Sequence, residues 1–151
     1  MDNDPKPLKV TETAISDEVL SRAMEADSEL IVLPLEYRDT GVALYTEPSV
    51  MAVKTLRAQG VDAAFLDAPE QRTFEVKKSG LETAVVAFVL GIASNAAWDG
   101  IRHLLGVGAA RLRVTFVELR HGNDRRGKAW TVEGDAESVL AAIDKLRNDD
   151  S

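Results

Sequence analysis

Asn95, Asp99 and His103 recur every four residues, which on a helix stacks their side chains along one face. An imidazole oriented by a carboxylate is a common pairing for general acid or base work. With Arg102 alongside to hold an anion, Asp99 and His103 would make this a small enzyme or anion-binding domain. A plainer reading competes with it. The helix emerges into solvent here, and Arg102 with His103 complements the negative end of its dipole. No serine or threonine stands in a recognisable nucleophile elbow to complete a triad, so the sequence leans away from an enzyme.

The most basic spot is the segment RHGNDRRG and its border, with Arg120, His121, Arg125, Arg126 and Lys128. These side chains could bind a phosphate or an acidic protein surface. A solvated hairpin tip explains them equally well, and no aromatic residue is interleaved for base stacking. Gly106-Val107-Gly108 is no nucleotide loop, because it follows a helix instead of opening one and lacks the third glycine of the fingerprint.

The acids are many, but Asp62, Asp67, Glu70, Asp149 and Asp150 show no metal-loop spacing. There is no cysteine and only two histidines, His103 and His121. Thiolate zinc sites and three-histidine sites within one chain are excluded. We therefore expect no metal and no cofactor. A formal net charge of -7 argues against broad attraction to nucleic acid or anionic lipid.

These residues need elements to position them. The 151 residues, 45% apolar and 28% charged, are expected to form one globular unit over 12–147, with a flexible arm at 1–11 and an acidic tail at 148–151. Ser16 with Asp17 and Glu18 marks a helix start. The apolar run LIVLPLEY at 30–37 predicts a strand near the sheet centre, with Pro34 forcing a bulge or an edge. Asp39-Thr40-Gly41 is a turn, and 42–46 a second strand. Pro48 early and Gly60 late frame a helix over 50–59, and 61–66 follows as a strand, so 42–66 forms a βαβ unit. Phe74 and Val76 alternate inward along a strand at 73–78. Strands at 112–119 and 128–133 flank the basic hairpin. Asp135 caps a last helix carrying Val139, Leu140, Ile143 and Leu146. Trp98 and Trp130 are expected in the core or at its rim.

The most distinctive stretch is 79–105, which the spacing predicts as one long helix. Ser79 and Glu82 have the capping-box spacing, and Gly106 serves as C-cap. One stripe, from Val86 to Leu104, is apolar throughout. The opposite stripe runs Leu81, Val85, Phe88, Ile92 and then turns polar, and the small Gly91 lies on the flank. An element apolar on every face must be covered by something. Three covers are conceivable: the sheet and other helices of the same domain, a second copy packed on Leu81, Val85, Phe88, Gly91 and Ile92, or a membrane entered by residues 81–98. The uncharged part of that stretch, Thr83 to Trp98, falls short of the roughly 20 residues a span requires, so no stable membrane span is expected, and the membrane reading is that of an effector whose helix is released on activation. The N-terminus lacks the apolar core of a secretory signal, which points to the cytoplasm.

The segments SGLE, GIASNAAWDGIRHLL and WTVEGDAESV, with the amphipathic helix that follows, resemble small, mostly uncharacterised bacterial α+β modules that accompany effectors of conflict and defence systems. The resemblance covers 79–146. It implies an adaptor or regulatory role with a protein partner and supplies no catalytic residue. The expected fold is a single α+β domain, with a mixed sheet of about six strands, the long buried helix and two or three shorter ones. The expected function is a non-enzymatic interaction module, most simply a homo-oligomer, accessory to such a system.

Overall fold

A computed structural model describes residues 8–26, 28–74, 83–91, 95–108, 111–119 and 128–149. In chain order the elements are β1 (Lys9–Ala14), α1 (Asp17–Ala26), β2 (Leu30–Val32), β3 (Glu36–Tyr37), β4 (Ala43–Tyr45), α2 (Glu47–Ala58), β5 (Ala63–Phe65), β6 (Arg72–Phe74), β7 (Ala84–Leu90), α3 (Asn95–Gly108), β8 (Arg111–Glu118), β9 (Lys128–Asp135) and α4 (Ala136–Asp149). Six strands form a mixed sheet in the order β1-β9-β8-β7-β2-β5, and three short ones form a second sheet, β3-β4-β6. The α+β class and the six-stranded mixed sheet agree with expectation.

Local chemistry starts several elements where the sequence signals them. The Ser16 hydroxyl accepts the Val19 N–H at 3.2 Å and caps α1. Pro48 sits in the first turn of α2, and Gly60 beyond its end has φ +85°, a conformation glycine adopts without steric cost. The Asp135 carboxylate accepts the Ser138 N–H at 3.1 Å at the start of α4. That amide bond holds the Asp135 carboxyl below its ordinary range.

The expected helix over 79–105 is corrected. Residues 84–90 are a strand, and helix begins only at Asn95. The sequence AVVAFVL is apolar on every face because β7 is a central strand covered on both sides, antiparallel to β2 and parallel to β8. A short continuous apolar run fits a two-sided strand as well as a buried helix, and its three valines and phenylalanine favour the strand. Ser79 and Glu82, the expected capping box, lie outside the described residues.

The two faces of β7 belong to different cores. Val86, Phe88 and Leu90 pack with Leu112, Val114, Phe116 and Val132 beneath α2, α3 and α4. Val89 joins Ile31, Val117 and Ala129 beneath Leu20 and Ala23 of α1. Each large apolar side chain fully enclosed contributes about 1.5–3 kcal/mol before entropy costs.

Residues 42–66 do not form a βαβ unit within one sheet. β4 pairs with β3 and β6, whereas β5 pairs in parallel with β2. The chain leaves the large sheet at Pro34, just after the Leu33 N–H bonds the Ala87 carbonyl at 2.8 Å. Further along β7, the Thr46 hydroxyl donates to the Val85 carbonyl at 2.7 Å, in the place a strand neighbour would take. Phe74 is not inward but 48% exposed, and Val76 lies outside the described residues. β1 starts at Lys9, so the last residues of the expected arm belong to the sheet.

Candidate functional site

A dense polar cluster among the described residues was not singled out by sequence reasoning. It centres on Asp67, which follows β5 and is 5% exposed. Arg22 of α1 donates from Nη2 to Asp67 Oδ1 at 2.9 Å and to the Leu66 carbonyl at 3.3 Å. Tyr45 of β4 donates from Oη to Asp67 Oδ2 at 2.8 Å and accepts the Asp67 backbone N–H at 3.1 Å. Tyr37 of β3 places its hydroxyl 3.2 Å from both carboxylate oxygens and accepts from Arg22 Nη1 at 3.4 Å. One carboxylate thus joins α1, both sheets and the chain leaving β5.

The electrostatics disfavour catalysis by this cluster. Burial pushes the Tyr45 phenol well above its ordinary range, and burial also raises Tyr37. Both phenols stay protonated as donors and offer no base. The Arg22 guanidinium is held charged by its hydrogen bond to Asp67. Every partner faces the same carboxylate, leaving no nucleophile and no free proton acceptor. The arrangement serves as a tie between elements.

Asn95, Asp99 and His103 do not act together. Asn95 Oδ1 accepts from Arg147 Nη2 at 3.2 Å, and the same guanidinium holds Glu118 at 2.8 and 3.2 Å. Arg102 Nε donates to Asp144 Oδ2 at 3.0 Å, and Trp98 Nε1 donates to Oδ1 of that carboxylate at 2.7 Å. Asp99 and His103 are exposed on α3. No hydrogen bond joins them among the described residues, and the arginine meant to accompany them is engaged with α4.

The residues expected at a partner interface lie mainly inside. Phe88 is fully enclosed, its ring 6.5 Å from Trp98 and 6.2 Å from Phe116. Gly91 is buried where a Cβ would collide with the Ser28 carbonyl oxygen. Val85 is half-buried on β7, and Leu81 and Ile92 lie outside the described residues. The apolar helix face expected to pair is therefore replaced by a strand that its own chain covers. Of the basic set, Arg120, His121, Arg125 and Arg126 lie outside the described residues, and Lys128 opens β9.

Among the described residues, no three histidine, aspartate or glutamate side chains are grouped to hold a metal ion, and no helix is long and apolar enough to cross a membrane. No family model, curated protein or solved structure matches this chain.

The Asp67 cluster left little signal in the sequence. Arg22 and Asp67 are 45 residues apart, and nothing local links them. A tyrosine inside the apolar strand VALYT was the available hint, since a buried phenol needs a polar partner.

Proposed function

We propose that this protein is a non-enzymatic interaction module that pairs with a second copy of itself along β1. The observation that carries this reading is where one row of side chains ends. Val86, Val114, Val132 and Val10 stand in register across β7, β8, β9 and β1. The first three are enclosed, while Val10 is 45% exposed.

β1 is the last strand of the large sheet among the described residues, so one side of its backbone has no strand partner there. Edges of this kind readily accept another strand. An antiparallel second copy, with Val10 facing Val10 across a two-fold axis, continues the valine row through the axis and covers both side chains. On the other face the row Thr115, Thr131, Thr11 also ends at β1, and its first two hydroxyls are bonded at 2.9 Å. Small and β-branched residues on both faces suit close strand pairing.

In the cytoplasmic setting expected from the sequence, and beside an effector as the resemblance of 79–146 implies, such pairing would bring two effector chains together. Size-exclusion chromatography with light scattering tests the pairing. The expected result is a mass of twice 16.4 kDa, falling to the single-chain mass in Val10→Asp and Val10→Lys with thermal unfolding unchanged. A single-chain mass at every concentration, or a dimer indifferent to both substitutions, rejects the proposal.

A further inference from the structure

Arg72 of β6 is held in a way that differs from the other engaged arginines. Arg22, Arg57, Arg102 and Arg147 each donate to an acceptor within the chain. Arg72 lies with its guanidinium carbon 4.1 Å from the centroid of the Phe65 ring, and its enclosed Nε has no hydrogen-bond partner. No ion pair involving Arg72 is formed among the described residues.

A guanidinium keeps its charge at any ordinary pH, so burial cannot neutralise it as it would a lysine. Stacking on an aromatic face compensates only part of the lost hydration. A half-buried, unpaired arginine in a protein of net charge -7 therefore sits in an unfinished environment. An anion completes it.

The surroundings say what kind of anion. Phe65 is packed against Tyr45 at 5.0 Å and against Phe74 at 6.0 Å, and Phe74 is 48% exposed. Tyr37, Ala43 and Arg72 share one cross-strand row, and Tyr45 and Phe74 share the next on the same face. The cation thus has an aromatic floor and an open aromatic wall. The overall negative charge repels polyanions at long range, which argues against nucleic acid and anionic lipid. A single carboxylate attached to an apolar group meets both requirements: the planar fork pairs with the carboxylate, and the apolar group rests against Phe74.

We infer that Arg72 and Phe74 form a binding site for a carboxylate carried on an apolar group. The site lies in the three-stranded sheet, away from β1 in sequence and in sheet, so it stands or falls independently of the pairing proposed above.

Nuclear magnetic resonance titration with benzoate tests it on the intact chain, with inorganic phosphate as the second arm. Benzoate is expected to shift the Arg72 Nε–H and Phe74 ring resonances saturably, binding at least about ten-fold more tightly than phosphate, because the ring adds apolar contact. Arg72→Lys keeps the charge but loses the fork, and binding is expected to fall by about ten-fold. Phe74→Ala, at an exposed position, weakens benzoate and leaves phosphate unchanged. Absence of a saturable shift, equal binding of the two anions, or an Arg72→Lys protein that binds benzoate as well as the parent overturns the inference.

Discussion

Tyr45 and Asp67 are hydrogen-bonded to each other twice, the phenol donating to Oδ2 at 2.8 Å and accepting the aspartate's own N–H at 3.1 Å. This reciprocal pair fastens β4 of the small sheet to the chain leaving β5 of the large one. In Tyr45→Phe the ring can keep its edge-on contact with Phe65, but the buried Asp67 N–H loses its acceptor and Asp67 Oδ2 loses one of its two donors. We expect a loss of about 1–3 kcal/mol, read from the urea midpoint. An unchanged midpoint would show that water replaces the phenol at no cost.

The two phenols that face Asp67, those of Tyr37 and Tyr45, set the behaviour at alkaline pH. Both tyrosines have phenols raised above the ordinary value of 10.0. Their contribution to stability is complete below the unfolded value and declines as the pH rises from there towards the folded one. Absorbance at 295 nm should show phenol ionisation delayed in the native protein and ordinary in urea. Stability should fall as the pH passes about 10. In Tyr45→Phe that fall should be shallower.

Phe88 makes a sharp test of the corrected fold. On an exposed helix face, Phe88→Ala would weaken association and leave the fold intact. Enclosed between Trp98 and Phe116, it should cost about 3–5 kcal/mol of stability. At temperatures where the variant remains folded, its oligomeric mass should match the parent's. A variant with parental stability and altered mass would contradict the placement of β7.

Gly91 and Gly100 should differ under substitution by alanine. At Gly91 the added carbon meets the Ser28 backbone oxygen, next to the bond from Gly91 N–H to the Glu29 carbonyl at 2.8 Å. At Gly100 it meets the Leu56 Cδ2 methyl, the end of a side chain, and alanine recovers up to about 1 kcal/mol of helix propensity. Backbone at a strand end yields less readily than a side-chain terminus. Gly91→Ala should therefore lower the melting temperature more than Gly100→Ala, and the reverse order would mean that Leu56 is the more rigid neighbour.

Legibility in the sequence followed the range of the interaction. Ser16, Pro48, Gly60 and Asp135 each set an element boundary through bonds or torsions within a few residues, and those boundaries appear where the residues predict them. β8 and β9 were legible from the polar hairpin expected between them, and α4 from helical periodicity, which reports one buried face. The run at 84–90 was not, since burial on both faces erases the periodicity that separates strand from helix. Of the candidate sites, the sequence offered Asp99 with His103 and the basic hairpin. It did not offer Asp67, whose partners come from three distant elements.

By itself, then, the sequence determined the α+β class, the missing thiol chemistry, the caps and turns, and the amphipathic helices, because each depends on residue type or on near neighbours. Only the tertiary structure decided that AVVAFVL is a central strand, that β4 and β5 belong to different sheets, that Arg22, Tyr37 and Tyr45 share one carboxylate, that Val10 is left half-exposed at the end of its row, and that Arg72 Nε has no hydrogen-bond partner among the described residues. These are pairings across tens of residues. They are chosen by which surfaces the folded chain brings together, and no local pattern encodes that choice.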